Sequence, residues 1–398
     1  MSRTAIRAPW RLVVPATFLL AWGGNHFTPL LHVYESVGHY AAWQANLLLG
    51  TYVAGLAPGL LVAAALSDRH GRRPVMLVGM AATVLGSALL AASPHVFALL
   101  CLGRVLAGLG VGAAMSVGTA WMKELSSPPY EIGAPAVAGA RRPSLTLTLG
   151  FALGAGVSGL LAQFAPLPEV LPYLVHGGLA LLATPLLLLA PETRHADAPA
   201  AGHWWQDLRV PAAGHRRFTR AVVPAAPWIF GAAGVAYAVI PASVQHHLGE
   251  SATLYATALT VLTLGTGAVV QSFVPRLDRL TGGRSLPVGQ AAMCAGLLLA
   301  VLATAIGSPV LGILVAMVLG AAYGTLVVAG LLQVQSIATA EDLAGLTGVY
   351  YALAYLGFLL PTILAALLPL LAYPASLSML VVLCALCLLL VRRGLRTA

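Results

Sequence analysis

The feature that most limits how this chain can fold is a series of apolar stretches of about 20 residues along its whole length. A helix of that length crosses the hydrocarbon core of a bilayer. Segments such as VLCALCLLLV (382–391) lack the alternation of a transmembrane strand. The sequence therefore predicts an all-α membrane protein with twelve transmembrane helices. The predicted spans are 12–34, 41–66, 74–93, 96–122, 144–166, 169–190, 220–244, 252–275, 286–306, 309–335, 344–368 and 374–391.

The positions of the cations predict the orientation of these spans. All but one of the 21 Lys and Arg residues lie in the segments on one side, and the exception, Arg104, lies inside span 4. The loops on the opposite side contain neither residue type. Because cytoplasmic segments are enriched in Lys and Arg, both termini are predicted to be cytoplasmic. The net charge of +9 is thus a topology signal, and no nucleic-acid partner is expected.

The longest polar segment, 191–219, separates the first six predicted spans from the last six. This arrangement is typical of secondary transporters built from two parallel repeats. The sequence therefore predicts two six-helix halves joined by a cytoplasmic linker. The predicted parts are an N-terminal half (1–190), a linker (191–219) and a C-terminal half (220–398).

A weak internal repeat agrees with this division. The segment GLGVGAAMSVG (108–118) in span 4 is similar to LGAAYGTLVVAG (319–330) in span 10. Two glycines four positions apart match in each segment. The matched residues are Gly108 and Gly112 in the first and Gly320 and Gly324 in the second.

The turn after span 2, LSDRHGRRP (66–74), concentrates charge in a chain of which only 8% is charged. Arginines that anchor helix ends at lipid headgroups explain the composition but not the acid at the membrane edge. The turn resembles the signature loop of the major facilitator superfamily, except that Ala64 stands where that family usually has Gly. The resemblance implies a conformational latch between the two halves. The matched residues are Asp68, Arg69, Gly71, Arg72 and Arg73.

Two further motifs resemble proton-coupled members of that superfamily. They are RVLAGLG (104–110) in span 4 and GFALGAGVSG (150–159) in span 5, where Ala155 replaces the usual proline of drug:proton antiporters. Close helix packing through small residues is the alternative explanation for span 5. The residues assigned to helix packing are Gly150, Gly154 and Gly159.

Three residues are candidates for proton coupling: His26, Glu35 and Arg104. A cation inside a bilayer is costly, so Arg104 is expected to be functional, with a structural salt bridge as the alternative. His26 and Arg104 each lie nine positions from an outer loop, about 13 Å deep, and could face each other across the cavity that spans 1, 4, 7 and 10 line in the superfamily. His26 can titrate near neutral pH. The alternatives are a packing role for His26 and a solvated loop position for Glu35.

Polar and aromatic side chains in the spans could form a wall for a bulky amphipathic ligand. Ordinary helix packing explains each aromatic residue equally well when it is taken alone. His176, in span 6, is expected to be structural, and the four cysteines are expected to be packing residues without a disulfide. The candidate substrate-binding residues are Asn25, His26, Arg104, Phe230, Tyr237, Tyr323, Tyr350 and Tyr351.

The resemblance implies a proton-coupled antiporter in a bacterial plasma membrane that exports drug-like or natural-product molecules, such as antibiotics or peptide-like compounds. The alternative with the same fold is an importer or uniporter of a small metabolite. A membrane-embedded enzyme or a receptor is a second alternative, but the chain has no HExxH, GxSxG or phosphate-loop motif. No enzymatic activity, cofactor or metal is expected. The expected partners are a small-molecule substrate, protons and the lipid bilayer, with the chain acting as a monomer.

Overall fold

The structure is a computed structural model that describes residues 8–135, 138–194, 210–339 and 343–396. Across these ranges the regular structure is entirely helical, and eleven helices are long and apolar enough to cross a membrane. The predicted all-α membrane fold is therefore confirmed. The helices are α1 Val14–Asn25, α2 Leu31–Ser36, α3 Ala42–His70, α4 Arg72–Ala92, α5 Phe97–Leu125, α6 Ala138–Phe164, α7 Leu171–Leu189, α8 Phe218–His247, α9 Gly249–Gln271, α10 Val274–Leu280, α11 Ser285–Ile306, α12 Pro309–Ile337, α13 Gly345–Leu367 and α14 Tyr373–Arg396.

The first predicted span, 12–34, is not one continuous helix. The α-helix α1 ends at Asn25, a short 3-10 turn covers Thr28–Leu30, and α2 follows. Gly24 and Pro29 flank this break, and both residue types weaken an α-helix. The other eleven predicted spans each correspond to one continuous helix.

The helices form two compact units that are grouped by mutual contact. Unit 1 comprises residues 1–26, 54–154 and 170–209, and unit 2 comprises residues 27–53, 155–169 and 210–398, in each case as far as the chain is described. Unit 2 therefore contains stretches from both predicted halves. The boundaries of the halves stay a prediction, and residues 195–209 of the predicted linker lie outside the described residues.

Within unit 1, α3 and α5 approach so closely that their backbones touch. A Cβ atom on Gly112 of α5 would lie 2.6 Å from the carbonyl carbon of Gly59 on α3. A contact of that length excludes any side chain. Gly112 is therefore required for the packing of span 4 against span 2.

Unit 2 repeats this contact with its own helices. A Cβ atom on Gly324 of α12 would lie 2.8 Å from the Cα atom of Gly267 on α9. Gly324 is the residue that the internal repeat matches with Gly112. Span 10 thus packs on span 8 as span 4 packs on span 2, which explains in physical terms why the repeat keeps glycine at these two positions.

Two of the long helices of the described chain, α5 and α8, contain a π-helical turn in the middle. Ala114–Gly118 in α5 and Val235–Val239 in α8 form π-helical turns. Such turns are frequent at functional sites because they displace the side chains on one face of a helix. Tyr237 lies in the second of these turns, so its position is set by this local irregularity.

Candidate functional site

His26 lies in a fully buried cluster of side chains in unit 1. Its ring packs edge-on against Tyr173 and His176, both on α7, with centroid separations of 5.0 and 4.6 Å. The side chain is 0% exposed, and neither ring nitrogen has a hydrogen-bond partner among the described residues. A buried polar group without a partner is costly, so this ring is available for a proton or a ligand.

His176, the neighbour of His26, is held in place by both of its nitrogens. Nε2 lies 2.8 Å from the carbonyl oxygen of Leu19, and Nδ1 lies 2.8 Å from the Ser87 hydroxyl. One neutral tautomer satisfies both contacts, because Nε2–H donates to the carbonyl oxygen and Nδ1 accepts from the hydroxyl. His176 thereby connects α1, α4 and α7. Within the described residues, neither ring nitrogen of its neighbour His26 makes such a hydrogen bond.

Arg104 lies at the same level of unit 1 and is also 0% exposed. Its Nη1 atom donates to the carbonyl oxygen of Gly23, three residues before His26, over a long distance of 3.5 Å. The guanidinium is near enough to His26 for their charges to interact. Asn25, the last residue of α1 and the chain neighbour of His26, is buried with 8% exposure.

The chemistry of this histidine cluster, defined as His26, Tyr173, His176 and Arg104, follows from these contacts. The guanidinium supplies a permanent positive charge, and a neutral imidazole supplies one donor and one acceptor. A second positive charge on His26 would be repelled by Arg104. The cluster is therefore suited to receive an anionic or strongly accepting group together with a proton.

Glu35 lies in a small cleft that is formed entirely by residues of unit 2. The cleft has room for about one water-sized group. Its polar lining includes His32 and Glu35 of α2, Asn46 of α3, and Tyr237 and Gln245 of α8. Glu35 lies outside the eleven long spans, in the short helix α2, and burial raises the pKa of its carboxyl from 4.5 to about 7. Glu35 therefore changes its charge near neutral pH.

The polar groups around Glu35 are only partly satisfied. His32 Nδ1 and Gln245 Oε1 lie 3.2 Å apart and join α2 to α8. Asn46 donates to the carbonyl oxygen of Ala42 over 2.8 Å, whereas its Oδ1 atom is buried without a hydrogen-bond partner in the described part of the chain. A proton or a water molecule in the cleft would meet several acceptors.

An aromatic cluster lies next to this cleft in unit 2. Phe230 stacks on Tyr355 with ring centroids 4.0 Å apart and lies 4.9 Å from Phe358. Tyr323 is 5.7 Å from Phe230, and Tyr237 is 6.4 Å from Phe358. Offset and tilted contacts of this kind are favourable and present a continuous apolar wall. Tyr237 belongs both to this cluster and to the lining of the Glu35 cleft.

Tyr350 and Tyr351 were assigned to the same wall, but they differ in their surroundings. The Tyr350 hydroxyl donates to the carbonyl oxygens of Leu326 and Val327, each over 2.9 Å, and the side chain is 1% exposed. These hydrogen bonds hold α13 against α12 and occupy the hydroxyl group of Tyr350. Tyr351 is partly exposed and lies 5.4 Å from the Tyr350 ring.

The charged turn between α3 and α4 forms a compact ionic network within unit 1. The Arg72 guanidinium binds both carboxylate oxygens of Glu124 over 2.7 and 3.2 Å and donates to Asp68 over 2.9 Å. Gly71 has φ of 97°, a conformation that favours glycine, and it allows the chain to reverse between the two helices. Arg69 and Arg73 are partly exposed in the same turn.

Glu192 closes the network by capping the start of α4. Its carboxylate accepts hydrogen bonds from the backbone N–H groups of Arg72 and Arg73, each over 2.9 Å, and from Thr193 over 3.0 Å. An anion at a helix N-terminus is stabilised by the unpaired N–H groups and by the helix dipole. All of these contacts lie within unit 1, and the role as a latch between halves stays a prediction.

The glycines assigned to helix packing in α6 lie at close contacts. A Cβ atom on Gly150 would lie 2.7 Å from the Ala21 side chain, and one on Gly154 would lie 2.8 Å from the Cα atom of Trp22. Both contacts are with α1 in unit 1. Gly159 makes a still closer contact, with the Thr257 side chain of α9 in unit 2. Small residues let these backbones approach.

Several residues of these sites were not singled out by the sequence. Tyr355 and Phe358 follow Tyr351 at helical spacing, so the sequence contains a pattern that could have predicted them. Glu124 and Asn46 have no local motif, and only tertiary contacts reveal them.

Two solved structures of transporters superpose on nearly the whole chain. Over 100% of this chain and 99% of its own, the POT family transporter PepTSo superposes with a TM-score of 0.76 at 12% identity. The nucleoside transporter NupG gives a TM-score of 0.74 at 11% identity over 98% of this chain and 99% of its own. At such low identity these likenesses show the fold alone.

The sequence matches the Major Facilitator Superfamily over residues 13–233, more than half of the chain. The chain belongs to this superfamily and is one of its membrane transporters. Multidrug resistance protein MdtL of Klebsiella pneumoniae (strain 342) is 35% identical over 81 residues, 20% of each chain. Probable inositol transporter 2 of Arabidopsis thaliana is 32% identical over 114 residues, 29% of this chain and 18% of its own. The matches thus span about a fifth of the length of these curated relatives.

Proposed function

We propose that this transporter is a proton-coupled exporter of amphipathic drug-like or natural-product molecules in a bacterial plasma membrane. It works by alternating access as a monomer, with both termini in the cytoplasm. Protons entering the cell drive the substrate outward. A role in antibiotic resistance follows if the exported molecule is an antibiotic.

The observation that carries this proposal is the contact between a protonatable cleft and an aromatic wall. Tyr237 lines the Glu35 cleft and also packs in the aromatic cluster with Phe358 and Phe230. An amphipathic substrate on that wall would lie next to the residue that exchanges the proton. Protonation of Glu35 removes a charge from the cleft and changes its affinity for the substrate.

The histidine cluster provides the second element of the proposed mechanism. Neither ring nitrogen of His26 has a hydrogen-bond partner among the described residues, and Arg104 places a permanent charge beside it. An accepting group of the substrate would bind there, and the proton at His26 would be held or released with it. Asn25, buried at the end of the same helix, would orient the bound group.

One similarity supports export, and the cation distribution supports the proposed placement of the termini. The similarity to MdtL, whose name describes multidrug resistance, covers 81 residues. The cation distribution, with Arg104 as the one residue outside the positive side, predicts the cytoplasmic placement of both termini. The sequence contains almost no Lys, and this composition supports the proposed bacterial source.

An importer or uniporter of a small metabolite is the second candidate. It is favoured by the similarity to an inositol transporter and by the likeness in fold to a nucleoside transporter. Proton movement separates the two candidates. An antiporter moves substrate and protons in opposite directions, a proton-coupled importer moves them in the same direction, and a uniporter moves no protons.

The test uses purified full-length protein in proteoliposomes that contain a pH-sensitive dye. A panel of hydrophobic antibiotics, inositol and nucleosides is added under an imposed proton gradient. Proton efflux from acid-loaded vesicles triggered by one hydrophobic compound, and lost in Glu35→Gln, is the expected result. Flux of a metabolite without any proton movement would contradict the proposal.

The chain offers a matched control for the carboxyl. Glu250 is an exposed acid at the start of α9, and it does not line the Glu35 cleft. Glu250→Gln removes the same charge and is expected to retain full coupling. Equal loss in both variants would show that the effect comes from net charge rather than from the cleft.

A further inference from the structure

A large basic cavity lies in unit 2, and its lining residues belong neither to the Glu35 cleft nor to the aromatic cluster. It has a volume of about 850 Å³, within the range of ligand sites in proteins. Four arginines line it, and no carboxylate among the described residues does so. These arginines, which define the basic cleft, are Arg217, Arg284, Arg392 and Arg396.

The four arginines come from three separate segments of the chain. Arg217 directly precedes α8, Arg284 directly precedes α11, and Arg392 and Arg396 share one face of the last turns of α14. The positive-inside rule explains why arginines are on this side of the membrane. It does not explain why they converge on one cavity, because like charges at close range repel each other.

The arginines of the basic cleft are not neutralised within the described part of the chain. None of the four takes part in an ion pair there. The Nε–H group of Arg217 is buried without a hydrogen-bond acceptor in the same ranges. Because a buried donor without an acceptor is costly, an anion in the cavity would satisfy it.

The turn before α11 gives the cleft a fixed backbone. The Asp278 carboxylate binds the Ser285 hydroxyl and its backbone N–H, and the Gly283 N–H donates to the Asp278 carbonyl oxygen over 2.8 Å. Gly282 and Gly283 have φ of 62° and 80°, and no atom of the described residues lies within 4 Å of the Cβ position of either one. The Asp278 carboxylate is thus engaged at the start of α11. The guanidinium groups of the basic cleft can then bind an external anion.

We propose that the basic cleft binds a phosphate group, supplied by the headgroup of an anionic phospholipid. Arginine forks match the geometry of phosphate oxygens and can bind them in pairs. The apolar side chains of Val288 and Leu395 line the same cavity beside the arginines. A lipid needs this combination, because its acyl chains begin directly below the charged headgroup. This binding site goes beyond the proposed transport reaction and does not depend on the identity of the substrate.

The test measures binding to the detergent-purified full-length chain by native mass spectrometry. The probes are phosphatidylglycerol, zwitterionic phosphatidylcholine, and inorganic pyrophosphate as a soluble phosphate. The cleft variant is Arg284→Gln with Arg392→Gln. The control variant is Arg216→Gln with Arg276→Gln, which removes the same charge from exposed positions outside the cleft.

The expected result is preferential binding of phosphatidylglycerol that falls about thirtyfold in the cleft variant, or about fivefold for each arginine. The control variant should bind like the wild type. Pyrophosphate binding with the same dependence on the cleft, but without lipid binding, would assign the phosphate site to a soluble ligand and refute the lipid source. Equal binding of phosphatidylglycerol by the cleft and control variants, or no binding of either phosphate probe, would overturn the proposal.

Discussion

Replacing Glu35 with Gln should remove a pH-dependent loss of stability that is specific to the Glu35 cleft. Burial raises the pKa of this carboxyl from 4.5 to about 7. With a raised pKa, the folded protein binds the proton of this carboxyl more tightly than the unfolded chain does. The resulting contribution to the free energy of unfolding is fully present below pH 4.5 and is lost as the pH rises through 7. The difference corresponds to about 3 kcal/mol at high pH, which partial exposure reduces to about 2 kcal/mol.

The assay is thermal unfolding of the detergent-purified protein between pH 5 and pH 9, followed by intrinsic fluorescence. The unfolding temperature of the wild type should fall relative to Glu35→Gln by about 2–5 °C across this range, because the Gln side chain does not ionise. Glu250→Gln serves as the control and should follow the wild type. If wild type and Glu35→Gln show the same pH dependence, the carboxyl does not titrate in the folded protein near neutral pH, and the reasoning is refuted.

Two further predictions test the packing of the units. Gly112→Ala should destabilise the protein by about 1–3 kcal/mol, because its Cβ would lie 2.6 Å from the backbone of α3. Gly178→Ala, where no atom lies within 4 Å of the added Cβ, should be neutral or slightly stabilising, and thermal unfolding compares them. Copper phenanthroline should oxidise Cys294 and Cys384 to a disulfide, because their sulfur atoms lie 3.2 Å apart. Thiol titration should show a loss of two thiols in the wild type and none in Cys384→Ser, and an equal loss in both would contradict the geometry.

The helices could be predicted because a single physical requirement determines them. A buried backbone in lipid must satisfy its own hydrogen bonds, so each long apolar stretch forms a helix. The first span was the exception, since Pro29 and the preceding glycines divide it into α1 and α2. Hydropathy does not register such a break, because glycine and proline are compatible with an apolar environment.

The sites could be predicted only where a residue is unusual in its position. Arg104 and His26 stand out because polar groups are rare inside spans, and the structure places them in one cluster. His176 was expected to be structural, and its fixed hydrogen bonds agree with that role. Its contact with His26 depends on the tertiary packing of α7, which no local pattern encodes. The same holds for Asn46, which reaches the Glu35 cleft from α3.

The measurement that tests the central proposal most directly is substrate-triggered proton movement in proteoliposomes, compared between wild type, Glu35→Gln and His26→Gln. Proton exchange driven by a hydrophobic antibiotic should be lost in Glu35→Gln and changed in its pH dependence in His26→Gln. Retention of wild-type proton exchange by both variants would contradict the assignment of the coupling site. Substrate flux without proton movement in the wild type would contradict antiport itself.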